Sequence, residues 1–451
     1  MSEERKAPRW MRLDNAGLIF PASLRKTWSN AFRISVTMED PIDPDILQNA
    51  LDRVAARFPG ICARLRRSFF WFYLEETDPP TVHEDSYQPL VGMKWKDIRR
   101  CAIRVLYYRD RMAVEFFHSV TDGTGGMIFT KNLAAEYIRM KYGETVPLEE
   151  DLKDLDEPVP EEELIDSFQE HAGPVAAPRD DLHVFHLTGE TEKDRFLHQT
   201  CGILDAATLR TKAKEKGITV TGYLTAILLR CLLDIQYERL HIDPSEDDSP
   251  KGLTLREIRK HRRLRPVKVQ IPVNLRQIYG GCTMRNFVAV VNIGVDPRMG
   301  DYSLEELFGI VHHQMQLNIT AKNLRAIFTP NVNSEKNPIL KIVPLPLKTL
   351  IMRIVFDTVG ETVSTTCLSN LGQVRFPSAA ARHIRRVEFI LGSQSQAPYN
   401  VSLTSWDGKS YVEIVRNSVE AELEQKFFRR LVREGFHVKI ESNDRNTSER
   451  R

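Results

Sequence analysis

The sequence predicts an α+β protein in which antiparallel sheet and helices interleave across two domains. Segments of period 3.6 and period 2 alternate along the chain with no short repeat, which sets solenoids and propellers aside. At 451 residues the chain exceeds the usual size of one core. Between Glu149 and Pro178 the composition turns acidic and proline-bearing and the periodicity weakens, which marks a crossover between the two domains.

Each element carries its own local signal. Asp43-Pro44 supplies an N-cap and a first helical residue; Ile46, Leu47, Ala50, Leu51, Val54 and Phe58 then trace one apolar face until Pro59-Gly60 stops the helix. Phe69 to Tyr73 is an aromatic run of strand length, with ordinary sheet packing as its expected role. Ala102 to Tyr108 and Met112 to Phe117 are strands divided by the turn Arg109-Asp110-Arg111. In the second half, Ala206 to Lys216 forms a helix closed by Gly217. The next helix, capped by Thr219 or Thr221, is apolar on nearly every side from Leu224 to Ile235 and is expected to be buried. Ser303-Leu-Glu-Glu306 is a capping box that opens a helix through Leu317, on which the adjacent His312 and His313 point apart and cannot jointly chelate a metal. Asp407-Gly408 signals a hairpin between Tyr399 to Trp406 and Lys409 to Val415. A last helix spans Glu420 to Arg433. Pro344 to Phe356 reads as a buried helix, Pro244 to Arg265 as a solvated charged insertion, and the polar stretch 441–451 as a disordered tail.

Composition excludes several classes. Lys plus Arg at 63 against Asp plus Glu at 61 leaves a net charge of +2, too little for a phosphate-backbone binder, so no nucleic acid partner is expected. Cys62, Cys101, Cys201, Cys231, Cys282 and Cys367 stand singly, with no CxxC pair and no histidine at ligand spacing, which points to free thiols and no metal. The amino end lacks the apolar stretch of a secretory signal, and no window approaches the ~18 apolar residues of a transmembrane segment, so a cytoplasmic location is expected.

The strongest chemical signal is Phe116-Phe-His-Ser-Val-Thr-Asp-Gly123, followed by Thr124-Gly125-Gly126. An apolar strand delivers His118 at its end. Asp122 stands where a helix N-cap belongs, and the glycines let the backbone turn tightly. An imidazole so placed is able to act as a general base on a hydroxyl or amine, because it is substantially neutral near pH 7.

His118-x-x-x-Asp122-Gly123 resembles the signature of the HxxxDG acyltransferase superfamily, which includes chloramphenicol acetyltransferase, the condensation domains of peptide synthetases and the alcohol acetyltransferases. Val269-Gln-Ile-Pro-Val-Asn-Leu-Arg276 is similar to that family's strand ending in arginine, Met284 to Asn292 to the strand that follows it, and Cys367-Leu-Ser-Asn-Leu-Gly372 to a Ser-Asn-x-Gly strand of the alcohol-acetyltransferase and polyketide-associated branches. The resemblance spans about residues 15–435 and implies two chloramphenicol-acetyltransferase-like subdomains, 1–180 carrying the motif and 181–440. Each is a mixed sheet with flanking helices, and they meet at a central tunnel.

The implied activity is transfer of an acyl group from acyl-CoA, or from an acyl carrier protein, to a hydroxyl- or amine-bearing acceptor, with no cofactor. His118 is the implied base, Asp122 and Arg276 a pair that holds the site, and Gly123 a backbone donor to the oxyanion. Asn274, Asn286, Ser369 and Asn370 are polar residues on apolar strands that either line the tunnel or satisfy bulges. An Asp-Phe-Gly-Trp-Gly motif is absent, which argues against the plant branch, and residue 117 is Phe where condensation domains commonly carry a first His. The basic stretch Arg256 to Arg265 is the candidate dock for a carrier protein. A catalytically silent protein of the same fold is the remaining alternative, although the chain retains His118, Asp122 and Gly123.

Overall fold

A computed structural model of the chain describes residues 8–24, 30–86, 88–177, 183–192, 196–243, 262–355, 362–393 and 398–443. Fifteen strands form three sheets among these residues. A five-stranded sheet runs in the order Ile384–Leu391, Ala31–Met38, Arg111–Phe117, Ile103–Tyr108 and His83–Glu84. A seven-stranded sheet runs Val288–Val295, Val267–Asn274, Thr366–Gln373, Tyr399–Trp406, Lys409–Arg416, His198–Asp205 and Lys439–Ser442. Both are mixed: Thr366–Gln373 pairs parallel with both of its neighbours, and His83–Glu84 parallel with Ile103–Tyr108. The α+β class with two sheet-rich subdomains is therefore the observed one.

Local signals account for most elements. Asp43 accepts hydrogen bonds from the Asp45 and Ile46 amides and opens the helix Pro44–Arg57, whose apolar stripe is buried against the helix Gly123–Tyr142. Thr219, not Thr221, caps Val220–Leu240, and that helix is buried along most of its length as the centre of the second core. The capping box at Ser303 opens Leu304–Asn318. Asp407 and Gly408 both take positive φ, 46° and 72°, as a two-residue hairpin turn matched to strand twist requires.

Three expectations are corrected. The strand expected at Phe69 to Tyr73 begins at Phe72, because Ser68 to Trp71 form the hairpin turn that joins Ala63–Arg67 to Phe72–Glu76. The Ser68 amide donates to the Trp71 carbonyl at 2.7 Å, and Phe69 stands 68% exposed. Aromatic composition cannot locate a turn that is itself aromatic. The tail does not begin at 441: Glu441 and Ser442 pair with Cys201 and Thr200 as an edge strand, and 444–451 lie outside the described residues. The helix Leu345–Val355 is not buried; only Leu345 is. Within the acidic crossover Glu163 is buried, and Arg57 Nη1 donates to it at 2.7 Å. Of the charged insertion, residues 244–261 lie outside the described residues.

The strand Ile384–Leu391, which follows position 180 in the chain, pairs antiparallel with Ala31–Met38 and completes the first half's sheet. The second half thus reaches across and ties the two sheets together beside the turn at 118–126.

Candidate active site

The strand Arg111–Phe117 ends where the His118 amide donates to the Asn30 carbonyl, at 2.9 Å. The chain then turns sharply into the helix Gly123–Tyr142. Asp122 caps that helix: its Oδ1 accepts from the Thr124 and Gly125 amides, both at 3.1 Å. The turn demands glycine at 125, since a Cβ there would lie 2.7 Å from the Met284 carbonyl oxygen and 2.1 Å from Thr121 Oγ1. At 123, a Cβ would meet Leu371 Cδ2 at 2.8 Å.

The second half supplies the other wall. Asp122 Oδ2 accepts from Arg276 Nη1 at 2.8 Å and from the Phe287 amide at 2.8 Å. The carboxylate is therefore saturated by four donors, and both members of the ion pair are nearly excluded from solvent. Arg276 spends its remaining donors on the Thr283 and Arg285 carbonyls and on Asn274 Oδ1. Such a fan of contacts uses the planar fork of an arginine, which a lysine lacks.

Asn286, left open in the sequence between tunnel wall and bulge, does something more specific. Its Oδ1 lies 3.0 Å from His118 Nδ1, while its Nδ2 donates to the His118 carbonyl at 3.0 Å and to Asp14 Oδ2 at 3.1 Å. With Nδ2 committed to two oxygens, Oδ1 faces the ring, so Nδ1 carries the imidazole hydrogen and Nε2 keeps the lone pair. Nε2 has no hydrogen-bond partner among the described residues. Phe20 stacks on the ring at 4.5 Å and Phe32 meets its edge at 5.1 Å. Burial among these groups lowers the His118 pKa below the usual histidine value, outweighing the opposing pull of Asp122 and Asp14.

His118, Asp122, Gly123, Asn274, Asn286, Ser369 and Asn370 all border one cavity of about 750 Å³. Arg276 does not; it stands behind Asp122. Ser369 and Asn370 lie on Thr366–Gln373, where Asn370 Nδ2 donates to Thr221 Oγ1 at 3.0 Å and its Oδ1 accepts from the Gly372 amide at 2.7 Å, shaping the bulge at the end of that strand. The Gly123 amide, first in its helix, has no acceptor among the described residues. Sequence reasoning missed Asp14 and Phe20: neither belongs to a local pattern, and no short-range spacing connects them to His118.

The cysteines are free, and all but Cys282 are buried. Cys367 borders the cavity, but burial pushes its thiol up to about 12. Cys201, Glu388 and Glu413 approach one another closely, with the Arg386 guanidinium 3.1 Å from Cys201 and 2.7 Å from Glu388; this cluster is a buried ion-pair network that already holds its cation.

No protein-family model matches the chain, and no curated protein matches it in sequence. Solved structures do match in fold. Fusarium graminearum TRI101 complexed with coenzyme A and T-2 mycotoxin has a TM-score of 0.60 at 12% identity, over 97% of this chain and 100% of that one. The first condensation domain of the CDA synthetase scores 0.55 at 14% identity, over 94% and 95%. Polyketide synthase associated protein 5 from Mycobacterium tuberculosis scores 0.56 at 12% identity, over 93% and 96%. This chain thus has the fold shared by condensation domains, TRI101 and the trichothecene 15-O-acetyltransferase TRI3.

Proposed function

We propose that the protein is an acyltransferase that moves an acyl group from an acyl-CoA thioester to the hydroxyl or amine of a small-molecule or lipid acceptor. The observation that carries this reading is the His118 ring, held through Nδ1 by Asn286 so that Nε2 is the basic nitrogen at a cavity wall. Nε2 takes the acceptor's proton as the acceptor oxygen or nitrogen bonds to the thioester carbonyl carbon. The carbonyl electrons move onto oxygen, where the Gly123 amide is the candidate donor to the oxyanion. Collapse breaks the carbon–sulfur bond, and the proton on Nε2 passes to the departing thiolate. The high pKa of Cys367 supports direct transfer, since a protonated thiol is a poor nucleophile. Asp122 and Arg276 position the turn and touch no reacting atom.

Thiol release is the test: acyl-CoAs from acetyl to palmitoyl are mixed with a pool of alcohols and amines, and the protein is compared with a folded His118→Ala variant. Acceptor-dependent release that vanishes in the variant supports the reading. Release that ignores both the acceptor and the substitution, or none with any donor, overturns it for acyl-CoA. The likeness to a condensation domain and a polyketide synthase associated protein favours a carrier-bound donor as the second reading. Neutralising Arg256 to Arg265 then weakens use of a loaded carrier and leaves acyl-CoA use unchanged.

A further inference from the structure

One chain segment that borders the cavity stands out by its charge. Between Lys336 and Val355 it contains four cations, Lys336, Lys341, Lys348 and Arg353, and no carboxylate, although the whole chain is nearly neutral at +2. Its two helices, Pro338–Ile342 and Leu345–Val355, each present apolar side chains on two faces. On the inner face Leu345, Lys348, Ile351 and Met352 border the cavity, as do Leu340 and Val343. On the outer face Leu347 and Leu350 recur at i, i+3 and are 51% and 54% exposed, and Ile339 and Ile342, also three apart, are 69% and 72% exposed.

The segment is joined to the aromatic hairpin turn at 68–71 through its inner face. The Leu345 amide donates to the Phe69 carbonyl at 2.9 Å, and Lys348 donates to the Phe70 carbonyl at 3.1 Å with its ammonium 3.7 Å above the Trp71 ring. Phe69 projects from this turn, 68% exposed, and Phe70, which also borders the cavity, is 36% exposed. A hydrophobic core explains Leu345 but not the exposed leucine, isoleucine and phenylalanine side chains. Water-exposed leucine, isoleucine and phenylalanine interleaved with cations alone is the composition of a helix that lies in a membrane interface, where apolar side chains enter the acyl region and lysine and arginine meet anionic headgroups.

We propose that this face, formed by Pro338–Ile342, Leu345–Val355 and the turn bearing Phe69 and Phe70, docks the protein on an anionic lipid surface. The uniform positive charge of the segment selects that occupant over a neutral bilayer or a second copy of this chain, whose matching face would bring like charges together. So docked, the rim of the cavity bordered by Leu345, Lys348 and Ile351 meets the bilayer directly.

Flotation with vesicles tests the proposal without any substrate, so its outcome is separate from that of the acyl-transfer assay. The full chain is mixed with vesicles of equal parts phosphatidylglycerol and phosphatidylcholine, and with phosphatidylcholine alone. Binding is expected to the first, weaker to the second, and to fall as salt is raised, because exposed charges are screened beyond about 10 Å at 0.1 M ionic strength. Leu347→Asp/Leu350→Asp is expected to lower partitioning on the order of tenfold or more, and Arg353→Glu several-fold, with circular dichroism unchanged. Neither leucine borders the cavity, so thiol release with a short soluble donor is unaffected in the double variant. Absence of binding to anionic vesicles, or equal binding by the double variant, overturns the proposal. A lipid-free dimer in light scattering that the double variant abolishes overturns it equally, by assigning the face to a second copy.

Discussion

Asn286 holds His118 at both ends: its carboxamide oxygen lies 3.0 Å from Nδ1 of the ring, and its Nδ2 donates to the carbonyl of the same histidine at 3.0 Å. Asp14 fixes the orientation of that amide by accepting both its Nδ2 hydrogen and its backbone hydrogen. The consequence is a single tautomer, with Nε2 basic. Removing the amide in Asn286→Ala frees the ring to rotate and leaves Asp14 with fewer donors in a buried position. Turnover is expected to fall about 10- to 100-fold with little change in KM, a smaller loss than the ~10²–10⁴ of His118→Ala. Steady-state kinetics on both variants check the ranking, and equal losses with a raised KM would refute a positioning role.

The pH profile follows from the same burial. The folded pKa of His118 is lowered, so the base is neutral through the physiological range. Activity is expected to be flat near pH 7 and to fall only as pH drops below the ordinary histidine value of about 6.5. For stability the sign is the same: the unfolded chain binds a proton that the folded site resists, so this contribution is complete above about pH 6.5 and is lost as pH falls. An acid limb of kcat/KM with a midpoint above 7 would contradict the assignment.

Asp166 behaves in the opposite sense. Burial, with the charges of Asp14 and Glu335 nearby, pushes its carboxyl up to about 7. Between the usual carboxylate range near 4 and about 7 the folded state holds a proton that the unfolded chain has released, so stability declines as pH rises through that window. Because His118 contributes the opposite slope below about pH 6.5, urea midpoints from pH 4.5 to 7.5 should show this decline as a difference between the parent and an Asp166 variant. Asp166→Asn, which removes the titration and keeps one oxygen for the Phe168 amide at the Oδ1 position while losing the acceptor of the Asn15 amide, should reduce it.

Asp122 and Arg276 form a buried pair whose separation is expensive. Asp122→Ala leaves the Arg276 guanidinium uncompensated, and Arg276→Ala leaves the carboxylate so; each is expected to destabilise by about 3–5 kcal/mol, with the double variant well below the sum. Chemical denaturation of the four proteins measures the coupling. Additive losses would mean that the two side chains act separately.

Gly125→Ala and Gly309→Ala make a matched pair on helices. The first forces a Cβ against the Met284 carbonyl oxygen at 2.7 Å, whereas the second has nothing within 4 Å. The first should cost at least ~2 kcal/mol and distort the turn below His118. The second should stabilise by about 0.5–1 kcal/mol through helix propensity alone. Thermal melts decide, and equal shifts would show that the turn tolerates a side chain.

Local chemistry made much of this protein legible in its sequence. The caps at Asp43, Thr219 and Ser303, the Asp407-Gly408 turn and the strand-to-helix turn from His118 to Gly126 are each specified within about five residues, because capping hydrogen bonds and positive φ are short-range demands. The pairing of Asp122 with Arg276 across 154 positions was reached only through resemblance to a family. Three things were decided by tertiary structure alone. Asn286 meets His118 across 168 positions of chain and Asp14 meets Asn286 across 272, a convergence that no periodicity encodes. Ile384–Leu391 joined the sheet of the other half, because its hydrogen-bonding edge fits Ala31–Met38. Leu345–Val355, apolar enough to be core by composition, was left outside because the cavity wall needs only one of its faces, and burial depends on what lies opposite a side chain rather than on the side chain itself.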